Sequence, residues 1–271
     1  MRFTRTRAVL GALTGAAVGR WVSHALPGAE WTRVAGDGRT VGLGEGIAAA
    51  MGVVAGAAAA GASGGSFAAL AGAVAGAIDD HCEDRFPAAA KGFKGHLGAL
   101  RHGQLTSGLA KICIIGTGGA LAAAGMKRSG SGLIRTMTWG CQAALIAGTA
   151  NAVNLLDLRP ARALKGAGAL ALPLTLATAP TGPLAGAVLA TGAVCFPEDA
   201  HGTTMLGDLG SNALGATLGY ALAAAPAGVR WPALVVVVAL NALSERYSFS
   251  RIIASTPWLA ALDRWGRGAD A

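Results

Sequence analysis

The chain has 271 residues, of which 63 are alanine and 42 glycine; only 13% are charged, 53% are apolar, and the formal charge is +8. Soluble domains carry about a quarter charged residues, so the composition points away from an ordinary water-soluble domain. It excludes a disordered chain, which needs high charge with few apolar residues, and collagen, because glycine keeps no three-residue period. The basic residues fall in short clusters between apolar runs, without interleaved aromatics. That suits loops facing anionic lipid or phosphate, so no nucleic-acid partner is expected. Cys82, Cys113, Cys141 and Cys195 are far apart and form no CxxC pair, which suggests neither a zinc site nor a disulfide framework.

Apolar stretches long enough to serve as membrane spans recur at about 8–26, 40–61, 64–78, 105–124, 133–154, 163–179, 181–196, 209–228 and 232–244. The expected fold is all-α: a polytopic transmembrane bundle of about nine spans, forming one domain over 1–271. Arg2, Arg5 and Arg7 before an apolar run resemble a secretory signal, but eight further spans favour a retained first helix. Small-xxx-small spacings at Gly11/Gly15/Gly19, Gly52/Gly56, Gly72/Gly76, Gly182/Gly186 and Gly215/Gly219 would let helix backbones approach closely in lipid. An alanine- and glycine-biased composition alone would also generate them. Region 79–104 reads as the one sizeable polar loop. In the basic tail 245–271, Trp258, Leu259, Leu262 and Trp265 supply the apolar face of an interfacial helix.

The 14 acidic residues are the most informative feature. Asp79, Asp80, Glu83 and Asp84 cluster, no carboxylate follows until Asp157, and then come Glu198, Asp199, Asp208 and Glu245. Two spans separate Asp84 from Asp157, Asp157 from Glu198, and Asp208 from Glu245. An even number of crossings returns the chain to the same side, so these acids should share one membrane face. Thirteen basic residues fall on that side and seven, including Arg2, Arg5 and Arg7, on the other. The positive-inside rule makes the acid-bearing face cytoplasmic, on summed bias rather than on the first helix. The expected location is the cell membrane, multi-pass, with cytoplasmic active-site loops.

Carboxylates gathered at a membrane surface beside Lys and Arg suit a divalent cation bound to a pyrophosphate. Asp79-Asp80 closes the third span, Asn151-x-x-Asn154-x-x-Asp157 closes the fifth, and Leu206-Gly207-Asp208-Leu209-Gly210-Ser211 opens the eighth. Over roughly residues 30–245 this order resembles the polyprenyl-phosphate N-acetylhexosamine-1-phosphate transferases, the glycosyltransferase family that includes phospho-N-acetylmuramoyl-pentapeptide transferase. That family carries an Asp-Asp pair after its third helix, Asn-x-x-Asn-x-x-Asp after its fifth and Met-Gly-Asp-x-Gly-Ser before its eighth.

The resemblance implies a phosphotransferase that moves a sugar-1-phosphate from a UDP-sugar to a polyprenyl phosphate carrier, releasing UMP, in cell-envelope glycan synthesis. It implies that Asp208 binds Mg2+ (or Mn2+) and that Asp79 and Asp80 meet the lipid phosphate or the metal. Asn151, Asn154 and Asp157 would hold the nucleotide end of the donor. Gly207 and Gly210 would let the backbone turn tightly beside the phosphates, and Lys111 matches a family lysine that follows the Asp pair. The partners are then a UDP-sugar, a polyprenyl phosphate and the membrane, with a homodimer left open.

The chain departs from the peptidoglycan branch at Glu83, where that branch has Lys, and at Leu158, where Gly is usual. It has no histidine after His201 and no tenth span. The pentapeptide step is therefore not expected. A transporter or lipid flippase, and a catalytically inactive scaffold relative, remain alternative readings. Outside the motifs, Glu198 and Asp199 read as a polar loop, Lys91, Lys94 and Arg101 as surface charges, and Glu45 as an intramembrane acid with a partner.

Overall fold

The computed structural model describes residues 2–25, 31–34, 38–82, 85–86 and 93–267. Glu83, Asp84 and Lys91, singled out above, lie outside them. The described residues form twelve α-helices and one two-stranded hairpin. In chain order these are α1 (Arg2–Ala25), β1 (Thr32–Val34), β2 (Thr40–Gly42), α2 (Gly44–Ala59), α3 (Ser63–Cys82), α4 (Phe93–Arg101) and α5 (Ser107–Ala124). They continue with α6 (Gly132–Asn154), α7 (Arg162–Leu174), α8 (Thr181–His201), α9 (Gly207–Ala224), α10 (Ala227–Ser244), α11 (Phe249–Ser255) and α12 (Pro257–Arg264).

Every apolar stretch read from the sequence falls on a helix, but several limits move. The stretch from 40 begins as strand β2, and its helix starts only at Gly44. Helix α7 stops at Leu174, before the Thr178-Ala179-Pro180 turn. The supposed polar loop 79–104 contains the last turn of α3 and all of α4. Two helices, Ser107–Ala124 and Ala227–Ser244, are long and apolar enough to cross a membrane.

Helix α9 is buried on nearly all sides and packs against α2, α3, α6 and α8. Alanine and glycine make this possible. A methyl at Gly215 would stand 2.6 Å from the Thr149 carbonyl of α6, and one at Gly72 would stand 2.6 Å from the Asn212 carbonyl of α9. Helix α1 approaches α2 and α8 in the same way through Gly11 and Gly15, so these small-residue spacings mark real backbone contacts. Gly186 makes no such approach; its nearest would-be neighbour, the Ala8 carbonyl, is 3.8 Å off. Large apolar side chains also point outward: Leu13, Trp21, Leu133, Val235 and Val238 are exposed, and Val237 is the one buried residue of α10.

The contacts fix the helix directions. Gly76 lies on Asp208 and Gly72 on Asn212, so α3 runs antiparallel to α9 and ends where α9 begins. Thr149 faces Gly215 and Leu145 faces Gly219, so α6 also ends beside the start of α9. The hairpin pairs Thr32 with Gly42, Arg33 with Val41 and Val34 with Thr40. Its second strand is tied to the segment before α9: Gly42 N donates to Thr203 O at 3.1 Å and Met205 N to Gly42 O at 3.0 Å. The hairpin is thereby held over the N-terminus of α9.

At the C-terminal end, α12 presents two faces. Ala260 and Asp263 are buried, whereas Trp258, Leu262 and Trp265 are exposed. Leu259 is half-buried and, with Leu262 and Trp265, lines a groove against α7 and α8.

Candidate functional site

The N-terminus of α9 has no side-chain cap of its own. Asp80, at the end of α3, supplies one. Its two oxygens accept the backbone N–H of Asp208 at 3.1 Å and of Leu209 at 2.9 Å. A carboxylate there satisfies two otherwise orphaned donors and meets the positive end of the helix dipole. Gly207, with φ +61°, turns the chain into α9 directly against Asp80, and a methyl on it would stand 2.8 Å from Asp80 Oδ2. Only glycine takes this turn without strain.

The cap fixes Asp208, whose carboxylate forms the centre of the cluster. Lys111 Nζ, from α5, contacts Asp208 Oδ2 and lies 3.2 Å from Asp79 Oδ2. Arg33 Nη1, from β1, lies 3.4 Å from Asp208 Oδ1 and 3.2 Å from Asp80 Oδ1. Asn154, from the end of α6, places its amide 3.4 Å from Asp208 and 2.6 Å from the Ser211 hydroxyl. With the amide turned over, its oxygen accepts from Lys111 Nζ at 2.9 Å and its nitrogen donates to Asp208 at 3.2 Å, which satisfies every neighbour. Five elements thus meet at one point.

These carboxylates lie beyond the apolar stretches that end at 78 and 154 and begin at 209. Burial raises Asp79 above the usual carboxylate range, aided by its hydrogen bond with Asp208. Burial and the Asp208 charge push Asp80 up to about 6, against the two backbone N–H groups and Arg33. For Asp208 burial acts upward as well, but Lys111 and Arg33 outweigh it and the carboxyl sits below its ordinary value. Asp157, in the turn after α6, is raised well above the usual range by burial and by Asp199, Asp208 and Asp80, and its Oδ1 is buried without a partner.

The residues singled out from the sequence divide into groups. Asp79, Asp80, Lys111, Asn154 and Asp208 meet, with Gly207 at the turn, and Asp157 is within electrostatic reach. Within the Asp pair, Asp80 is committed to backbone and its side chain is 1% exposed, whereas that of Asp79 is 23% exposed. Both Asp80 oxygens are thus taken up within the protein, by the Asp208 and Leu209 N–H groups and Arg33. Asn151 does not reach Asp208; its amide bonds Asn241 of α10 at 2.6 Å, and it lines the groove that Asp79 and Lys111 also line. Gly210 does not line a phosphate loop either, since it packs against Gly46, whose Cα would lie 2.7 Å from an added methyl.

Sequence reasoning gave Arg33 and Asp199 no place in the site and left the partner of Glu45 unnamed. Arg33 counted only as one loop charge, and no spacing marks it, because the hairpin delivers it. Asp199, read as a loop acid, is fully buried in α8 and accepts the Ala161 N–H at 3.0 Å, beside Ala161's left-handed φ of 61°. It fixes the turn that carries Asp157. Glu45 is buried at the start of α2, with the Thr204 hydroxyl as its partner.

Beside the cluster opens a groove of about 570 Å³ between α5, α6 and α10, with Asp79 and Lys111 at its head and Ile112, Ile115, Ala147 and Gly148 along its wall. Among the described residues, no three His, Cys, Asp or Glu side chains converge closely enough to hold a metal ion by themselves. No protein-family model matches this chain, and no curated protein matches it significantly.

Proposed function

We propose that the chain is an integral membrane phosphotransferase that moves a sugar-1-phosphate from a UDP-sugar to a polyprenyl phosphate, as its motifs suggested by resemblance. The observation that carries this reading is Lys111 bridging Asp79 and Asp208 at the head of an apolar groove. Carboxylates beside a cation suit a divalent metal carrying a bound phosphate, and the Ile112, Ile115, Ala147 and Gly148 part of the groove wall suits a hydrocarbon chain. The outward leucine, valine and tryptophan side chains and the alanine- and glycine-rich interior support a multi-span bundle of about nine helices in lipid.

In the reaction a lipid phosphate oxygen forms a bond to the donor's β-phosphorus, and the bond from that phosphorus to the bridging oxygen breaks, so UMP leaves. Phosphoryl transfer needs charge neutralisation and in-line positioning more than covalent help. Lys111 and Arg33 supply positive charge on either side of Asp208. Asp79, the more open acid of the pair, faces the groove and would orient the attacking phosphate. Asn154, beside Lys111 and Asp208, and Asp157 would meet the nucleotide end.

The cluster offers oxygen donors from Asp208, Asp79 and Asn154, and the buried Asp157 Oδ1 lacks a protein partner. Mg2+ or Mn2+ commonly takes one or two carboxylates plus substrate phosphates and water, so the residues fit such an ion, with Asp208 as its ligand. When bound, it would neutralise the pyrophosphate. Even span counts and the basic excess support a cytoplasmic active site in the cell membrane. Incubating the purified protein with a panel of UDP-sugars and polyprenyl phosphate tests the reading: lipid-dependent UMP release is expected from at least one donor, and none from any donor would refute it.

A further inference from the structure

A second groove, of about 630 Å³, lies between α7, α8 and the C-terminal helices, and it shares no lining residue with the Lys111 groove. Its walls are apolar: Leu164 and Gly168 of α7, Gly192 and Phe196 of α8, then Leu259 and Trp265. Its mouth is charged. Arg162 grips Asp263 with Nε at 2.8 Å and Nη2 at 2.9 Å, and Arg267 Nη2 reaches the same carboxylate at 2.7 Å. Lys165 Nζ donates only to the carbonyl oxygens of Leu262 at 3.2 Å and Asp263 at 2.8 Å, which are neutral.

One carboxylate therefore faces three cations. Counting the neighbouring Arg159 and Asp199 as well leaves four cations against two carboxylates. Leu262 and Trp265 line the groove yet are exposed, and Trp258 is exposed on the same helix, as side chains are at the boundary between hydrocarbon and headgroups. An apolar groove with uncompensated positive charge at its mouth matches a molecule with a hydrocarbon chain and an anionic head.

We infer that this groove binds an anionic phospholipid, with an acyl chain along α7 and α8 and the phosphate at Lys165, beside the buried Arg162–Asp263–Arg267 cluster. A zwitterionic lipid is a poorer match, because its own cation cancels the phosphate charge that the mouth recognises. The inference needs the chain to lie in a membrane but is independent of the transferase reading.

The test uses the full chain purified in a neutral detergent, incubated with labelled phosphatidylglycerol or phosphatidylcholine and separated by gel filtration. Parent protein should retain phosphatidylglycerol up to about thirtyfold more than phosphatidylcholine, as expected for two excess basic charges near a headgroup. Gly168→Leu should fill the groove and lower retention of both lipids; a methyl there meets nothing nearer than Leu189 Cδ2 at 3.9 Å, so the helix accepts it. Lys165→Gln should bring phosphatidylglycerol down toward phosphatidylcholine while leaving the latter unchanged. Equal retention of the two lipids by the parent would overturn the proposal, as would a dimer peak that holds neither. Undiminished phosphatidylglycerol retention in both variants, each eluting as the parent does, would overturn it too.

Discussion

Asp80 caps the helix that Asp208 begins: its carboxylate takes the Asp208 N–H at 3.1 Å and the next one, from Leu209, at 2.9 Å. The residue that looks like one half of a reactive pair thus holds the other half of the site in place. Loss of a helix cap costs about 0.5–2 kcal/mol, so Asp80→Ala should lower the thermal unfolding midpoint of the purified protein clearly. Asp79→Ala removes no cap and should leave the midpoint nearly unchanged while abolishing activity. Equal midpoints for the two variants would remove the distinction.

Asp80 also predicts a pH dependence. Its carboxyl is pushed up to about 6 by burial and by the neighbouring Asp208 charge. Below that pH it is protonated and surrenders an acceptor that the α9 amides need; above it both oxygens accept. Turnover should therefore rise through about pH 6 and level off beyond it. Arg33 favours the ionised form, so Arg33→Gln should move the rise to higher pH. A pH–rate profile of the two proteins checks this, and an unmoved limb would detach Arg33 from the titration.

Much of the site was legible because its residues sit at the ends of apolar runs. Asp79, Asp80, Asn154 and Asp208 each mark the point where an apolar helix ends or begins, and the antiparallel packing of α3 and α6 against α9 brings those ends together. Lys111 stood out as a charge inside an apolar stretch. Arg33 was not legible, since its place depends on a hairpin whose strands are three residues each and whose second strand, Thr40–Gly42, merges with the apolar run of α2. Asn151 and Gly210 follow the motif spacing, yet one is satisfied by Asn241 and the other by close packing on Gly46. Spacing reports a shared helix; it does not report which neighbour takes the side chain first.

Asp199 reverses the expectation that it is a dispensable loop acid. Its Oδ1 holds the Ala161 N–H in a buried turn, and removing that acceptor strands the donor at a cost of about 1–3 kcal/mol. Asp199→Ala should loosen the turn that carries Asp157 and raise the KM for the nucleotide donor several-fold more than it lowers kcat. Asp199→Asn, which keeps the oxygen, should recover most of the loss. If Asn rescued nothing, the hydrogen bond would not be the reason for the effect.

The sidedness of the site can be read without any substrate. In a background with Cys82, Cys113, Cys141 and Cys195 replaced, single cysteines at the exposed positions His102, Thr203 and Ser129 would report on two ends of the bundle. An impermeant thiol reagent on whole cells should label Ser129→Cys and spare His102→Cys and Thr203→Cys. The opposite pattern would invert the topology.

On the proposed reading Asp208, held by Asp80 and neutralised by Lys111 and Arg33, is the metal-binding carboxylate of a phosphoryl-transfer centre. The direct measurement is lipid-dependent UMP release by the parent and by Asp208→Asn over a range of Mg2+ concentration. The variant keeps the side chain's size but not its charge, and loss of such a transition-state contact costs on the order of 10²–10³-fold in turnover. The account predicts that fall, in a variant that unfolds near the parent's temperature, with activity in the parent lost in excess chelator. Near-parent turnover and cation dependence in Asp208→Asn would contradict it.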